Sequence, residues 1–168
     1  MKRYGPLIVV REALAVGDPG RHHLRLTPDA VIIREGVENR GIVRWADIEE
    51  IAIDVPTTRF RLPGLVSTLL LGALTAAMLS DPGVDPDDGS VTLTVDGEPR
   101  TLPLSRHHVG GYWAPTVAGA QRLIAHLIAH PEQRALLAHP EPLIDVAARL
   151  ARGTGAVMSR DVVSATRP

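Results

Sequence analysis

The sequence predicts an α+β domain, with an antiparallel β-meander through most of the chain and helices after it. Three observations carry this. Apolar and polar residues alternate with period two within residues 22–55 and 91–104, the pattern of half-buried strands. Gly, Pro, Asn and Asp cluster between these runs at turn positions. From Pro115 the apolar period becomes helical, with Val117, Ala120, Ile124, Leu127 and Ile128 on one face.

A chain of 168 residues fits one domain with an appended segment. It is long enough to bury a core without disulfides or metal. The absence of cysteine removes thiol, zinc–cysteine and iron–sulfur chemistry and makes a reducing cytoplasm the expected setting. Aromatics are 3% of the chain, so the core must be built from Val, Ile, Leu and Ala. The formal net charge of −1 offers no basic excess, so a nucleic-acid partner is not expected.

The elements follow in order. Leu7 to Val10 is a β-forming run, too short for the apolar core of a signal peptide. Gly17-Asp18-Pro19-Gly20 is a turn. Residues 22–27 alternate, placing Leu24 and Leu26 on one face and Arg25 on the other, and Thr27-Pro28-Asp29 turns the chain. Ala30 to Arg34 is a β-branched run, Glu38-Asn39-Arg40-Gly41 is the expected hairpin turn, and Ile42 to Trp45 is its return strand. Ala46-Asp47 forms a corner before Ile51, Ile53 and Val55 alternate. Residues 62–80 carry no charge, and Asp81 to Asp88 form an acidic turn-rich loop. Val91, Leu93 and Val95 precede Asp96-Gly97, a strong hairpin signal, and Leu102 and Leu104 lie on the next strand. Three helices are expected, at about 116–129, 131–138 and 142–152, with Pro131 and Pro142 as first-turn prolines. Residues 153–168 lack a period and read as a flexible tail.

The stretch from Leu24 to Ile53 resembles the bacterial pleckstrin-homology-like family. The residues that carry the resemblance are the Leu26-Thr27-Pro28-Asp29 turn, the following hairpin, and the element Val43, Trp45, Asp47 and Ile48. The resemblance implies a bent antiparallel β-barrel or sandwich of about seven strands closed by a C-terminal helix, with Trp45 and Ile48 as core residues at a corner. It implies an interaction or membrane-associated module without catalytic residues. The corresponding division is a domain at 1–139 carrying the insertion 62–80, an extra helix at 140–152, and the tail.

The nineteen uncharged residues 62–80 meet the length of a transmembrane candidate. As a helix from Gly64 to Ser80 they would span about 25 Å, short of a hydrocarbon core of roughly 30 Å. Gly64, Thr68, Gly72 and Ala76 form a stripe of small residues that would admit a close helix neighbour, with Leu70 and Leu74 in a bulky stripe opposite. The expectation is an inserted apolar segment that mediates self-association, binds a protein partner or meets a membrane surface. A membrane-anchored protein, peripheral or single-span, is the alternative.

No nucleophile motif, phosphate loop or dinucleotide fingerprint is present, so no enzyme, cofactor or metal is expected. A small enzyme with a histidine site is the remaining alternative. His126 and His130 have the spacing of paired metal ligands, but Leu127 stands where the zinc-protease pattern needs Glu. Residues 107–115 concentrate His107, His108, Tyr112 and Trp113, either a partner or ligand loop or a joint that plugs the barrel. Arg34, Arg40, Arg44, Arg59 and Arg61 are candidates for a basic patch facing head groups or acidic partners.

Overall fold

The computed structural model describes residues 2–11, 13–58, 89–107 and 111–152. The tail 153–168, the acidic loop, the six interface candidates between Gly64 and Ala76, and Arg59, Arg61 and His108 all lie outside the described residues.

The described chain is α+β with antiparallel sheets. A six-stranded sheet runs in chain order: β1 (Arg3–Tyr4), β2 (Leu7–Val10), β3 (Ala13–Gly17), β4 (His22–Leu26), β5 (Ala30–Glu35) and β6 (Glu38–Arg44). A 3-10 turn, Trp45–Asp47, leads into β7 (Ile48–Asp54) and the short β8 (Thr57–Thr58). β9 (Gly89–Val95) lies between β7 and β10 (Glu98–Leu104) in a three-stranded sheet. β11 (Tyr112–Trp113) pairs parallel with β8. Then come α1 (Ala114–Ala129), a 3-10 helix (Pro131–Ala138) and α2 (Glu141–Ala151).

Local chemistry explains the turns. Asp96 and Gly97 both take positive φ, 52° and 78°, which suits a two-residue hairpin. The β5–β6 turn corrects the sequence expectation. It is Gly36-Val37, with Gly36 at φ 54°, and Glu38–Gly41 belongs to strand β6. Asn39 does not turn the chain, because it pairs with Arg34 in the ladder, and its Oδ1 accepts the Gly41 N–H at 3.1 Å. Arg40 is the extra residue of a β-bulge, since Ile33 faces Gly41 and Arg34 faces Asn39. The N-terminal run also holds more than one strand. Arg11, at φ 52°, reverses the chain so that β3 folds back on β2. A left-handed non-glycine residue of this kind is disfavoured by about 1–2 kcal/mol and leaves no sequence signal. The second of the expected helices is 3-10 rather than α.

One core joins both sheets and the helices. Leu14 and Val16, Leu24 and Leu26, and Val31 and Ile33 contribute from the inner face of the six-stranded sheet. Ile51, Val91 and Leu93 contribute from the smaller sheet, and Leu123, Ile124, Leu127, Ile144 and Ala147 from the helices. Trp45 is buried at the corner as expected, and its Nε1–H donates to the Thr27 carbonyl at 2.7 Å. Arg134 lies 5.3 Å from the Trp45 ring and donates to the carbonyls of Leu127 and Ile128, two of the unpaired acceptors at the end of α1. Gly119 lets α1 and α2 approach closely, because a Cβ there would stand 2.4 Å from the Ala147 carbonyl oxygen.

Two joins bear on function. Ser105 N–H donates to the His22 carbonyl and Asp18 N–H to the Ser105 carbonyl, both at 2.9 Å, so the end of β10 is tied to the β3–β4 turn. Asp54 on β7 is paired with Ser90 on β9. The chain therefore leaves toward residue 59 and returns at residue 89 within one sheet. One sheet cannot straddle a bilayer, so this pairing is at odds with a single crossing by the residues between. No helix among the described residues is long and apolar enough to cross a membrane.

Candidate functional site

The period-two pattern of β4 puts His23 and Arg25 on the face opposite Leu24 and Leu26. The register then sets Arg34 of β5 directly across from His23, and Ala15 of β3 directly across from Arg25. Ala15 contributes only a methyl, so space remains where a larger side chain would fill the row. The result is a cleft of about 210 Å³ on the outer face of the six-stranded sheet. His23, Arg25 and Arg34 line it. Arg11 of the β2–β3 turn, Pro19 and Val37 line it as well. Its described lining holds three arginines and a histidine and no carboxylate.

Two donors in this lining are unsatisfied. The Nε groups of Arg25 and Arg34 are buried and have no hydrogen-bond partner. A buried donor left unpaired is destabilising by about 1–3 kcal/mol, more when charged, so such a group calls for a physical reason. Arg34 is anchored at one end, because its Nη2 donates to the Val37 carbonyl at 2.5 Å. Two described carboxylates nearby, Asp18 and Glu35, each have a hydrogen-bond or ion-pair partner. Asp18 Oδ1 accepts the Gly20 N–H at 2.9 Å, and Glu35 pairs with Arg40 at 2.8 Å.

His23 is buried at 6% exposure. Its Nδ1 lies 3.1 Å from the Arg21 carbonyl, an acceptor, so Nδ1 carries the hydrogen and Nε2 holds the lone pair of the neutral ring. Burial pushes its pKa below the ordinary 6.5. The Arg21 carbonyl opposes that shift, Arg34 adds to it, Asp18 opposes it, and Arg25 adds to it least.

The residues singled out from sequence are distributed differently. Arg34 lines the cleft, but Arg44 sits opposite Ala30, about 13 Å along β5 from Arg34 at roughly 3.3 Å per residue. Arg44 also pairs with Asp47 at 2.9 Å, and Arg40 with Glu35 and Glu38. The expected basic patch is therefore not one patch among the described residues. Tyr112 is 2% exposed and belongs to the core, with its hydroxyl 3.0 Å from His107 Nδ1, so it plugs the fold and offers no surface to a partner. Burial pushes the Tyr112 hydroxyl up to about 12. Trp113 is half-buried on β11.

His126 and His130 stack with ring centroids 3.9 Å apart. Nε2 of His126 meets Gln133 Oε1 at 2.9 Å, and Nδ1 of His130 meets the His126 carbonyl at 3.0 Å. These bonds tie the end of α1 to the following 3-10 helix. No group of three or more His, Cys, Asp or Glu that could hold a metal occurs among the described residues. Sequence reasoning missed His23, Arg25 and Arg11 as a set. Alternation does place His23 with Arg25, but Arg34 and Arg11 join them only once the strand register is known.

The chain matches no protein-family model, no curated protein and no solved structure.

Proposed function

We propose that this chain is a non-catalytic interaction module of pleckstrin-homology-like build that self-associates through the apolar segment 62–80. The resemblance implies about seven antiparallel strands closed by a C-terminal helix, and the antiparallel strands β3 to β7, β9 and β10 followed by helix α1 support the sandwich-like reading. The N-terminal hairpin of β1 and β2 and the helix α2 are additions to it. The observation that carries the function is the Asp54–Ser90 pairing. It makes the nineteen uncharged residues an insertion between neighbouring strands of one sheet, and an apolar run of that size, where exposed on a folded domain, marks a partner or membrane surface. The bonds of His126 to Gln133 and of His107 to Tyr112 favour structural work for residues that a histidine enzyme would need free.

Sedimentation velocity tests the reading. Wild type is expected to sediment as an oligomer, and Gly72→Leu, which thickens the small-residue stripe, is expected to move it toward monomer. A monomeric wild type, or an unchanged oligomer in Gly72→Leu, would sink self-association. Flotation of wild type with lipid vesicles reads out the other occupant of the same segment, a membrane surface.

A further inference from the structure

We propose that the outer-face cleft is an anion site that binds a phosphate group, held between the guanidinium groups of Arg25 and Arg34, with Arg11 and His23 also lining the cleft. The proposal is independent of residues 62–80. A chain of net charge −1 has no general surplus of cations to spread over its surface. Three arginines in one cleft of about 210 Å³ without a described carboxylate are therefore a local concentration, and like charges so placed repel unless an anion joins them.

Arg25 and Arg34 both line the cleft, and each has an Nε without a hydrogen-bond partner. A guanidinium offers Nε and one Nη as a parallel pair of donors, the edge that grips two oxygens of a phosphate or carboxylate. The two side chains stand on adjacent strands, β4 and β5. A tetrahedral anion presents oxygens to both edges at once, whereas a planar carboxylate satisfies one fork well and the other poorly. A phosphate monoester also carries close to two negative charges near neutral pH, which suits more than one arginine. Size sets a further limit. Pockets for drug-sized ligands run to roughly 300–1,000 Å³, so this cleft suits a phosphate with a small substituent.

Calorimetric titration with inorganic phosphate and with glycerol 3-phosphate, beside flotation on vesicles bearing phosphatidate, tests the site and separates a soluble source from a lipid one. Binding in at least one arm is expected. Arg25→Gln should weaken it about 100-fold, and Arg25→Lys, which keeps the charge but loses the fork, about 10-fold. Arg11→Asn changes an exposed turn residue already at positive φ, so it should leave the fold intact and weaken binding several-fold. Arg44→Gln, remote from the cleft and paired with Asp47, should leave binding unchanged. No binding in any arm overturns the proposal. So does binding that survives Arg25→Gln and Arg11→Asn, or that falls equally in Arg44→Gln.

Discussion

The two faces of the six-stranded sheet are made by the same strands and do opposite things. On the inner face, Leu14, Leu24, Leu26 and Val31 are at most 1% exposed and share one core with the helices. On the outer face the alternate positions of β4 and β5 carry His23, Arg25, Ile32 and Arg34. Aliphatic side chains on the inner face satisfy one another by contact alone. The arginines on the outer face leave two buried Nε donors unsatisfied. The inner face carries the core shared with the helices, and the outer face, which also buries Ile8 and Ala15, carries the unpaired arginine donors.

Five experiments would break or sharpen that contrast, and the largest effect belongs to the inner face. Leu24→Ala should lower unfolding free energy in urea by about 3–5 kcal/mol, as buried Leu truncations do. Arg25→Ala, one residue away, should shift the same midpoint little or raise it. A large loss there would make the outer face structural and erase the distinction. Next comes Gln121, whose Oε1 accepts the Ile53 N–H at 2.9 Å and whose Nε2 donates to the Ile51 carbonyl. Gln121→Ala strips both from β7 and should reduce stability by about 2 kcal/mol. Trp45→Phe keeps a ring in the corner but orphans the Thr27 carbonyl, with an expected loss of about 1–2 kcal/mol in thermal melts.

The fourth test is pH. His23 has a folded-state pKa below its ordinary 6.5, so as pH falls the unfolded chain takes up this proton first. The stability given by the neutral ring is complete above about 6.5 and is lost as pH falls from there through the folded value. His23→Asn should flatten that part of the stability–pH curve, and an unchanged slope would remove His23 from the account. The smallest effect is expected of Arg40→Ala. Its pairs with Glu35 and Glu38 are exposed, so the change should stay within about 0.5 kcal/mol.

Where local chemistry decided the structure, the sequence was legible. The Asp96-Gly97 hairpin, the alternation of Leu24 and Leu26, the helical period from Val117 to Ile128 and the buried Trp45 could each be read within a window of about ten residues. The reversal at Arg11 could not, because nothing in an arginine announces positive φ. The β5–β6 turn misled because Asn39-Arg40-Gly41 has turn composition while Gly36 held the position that needed it. The cleft was illegible for a different reason. Arg25 and Arg34 are nine positions apart and Arg11 is farther still, and only register across three strands brings them to one place.

The bond between Gln121 and β7 has a consequence in time. Its partners are 68 and 70 residues apart in the chain. A ribosome adding about 5–20 residues per second makes β7 roughly 3–14 s before it makes Gln121. Throughout that interval the Ile51 carbonyl and the Ile53 N–H lack the side chain that finally occupies them, and the nascent strand can recruit any extended segment in reach. The helix that covers this edge is made after all three strands of the sheet, so a pause in translation before residue 121 leaves the β7 edge open to pairing with a neighbour.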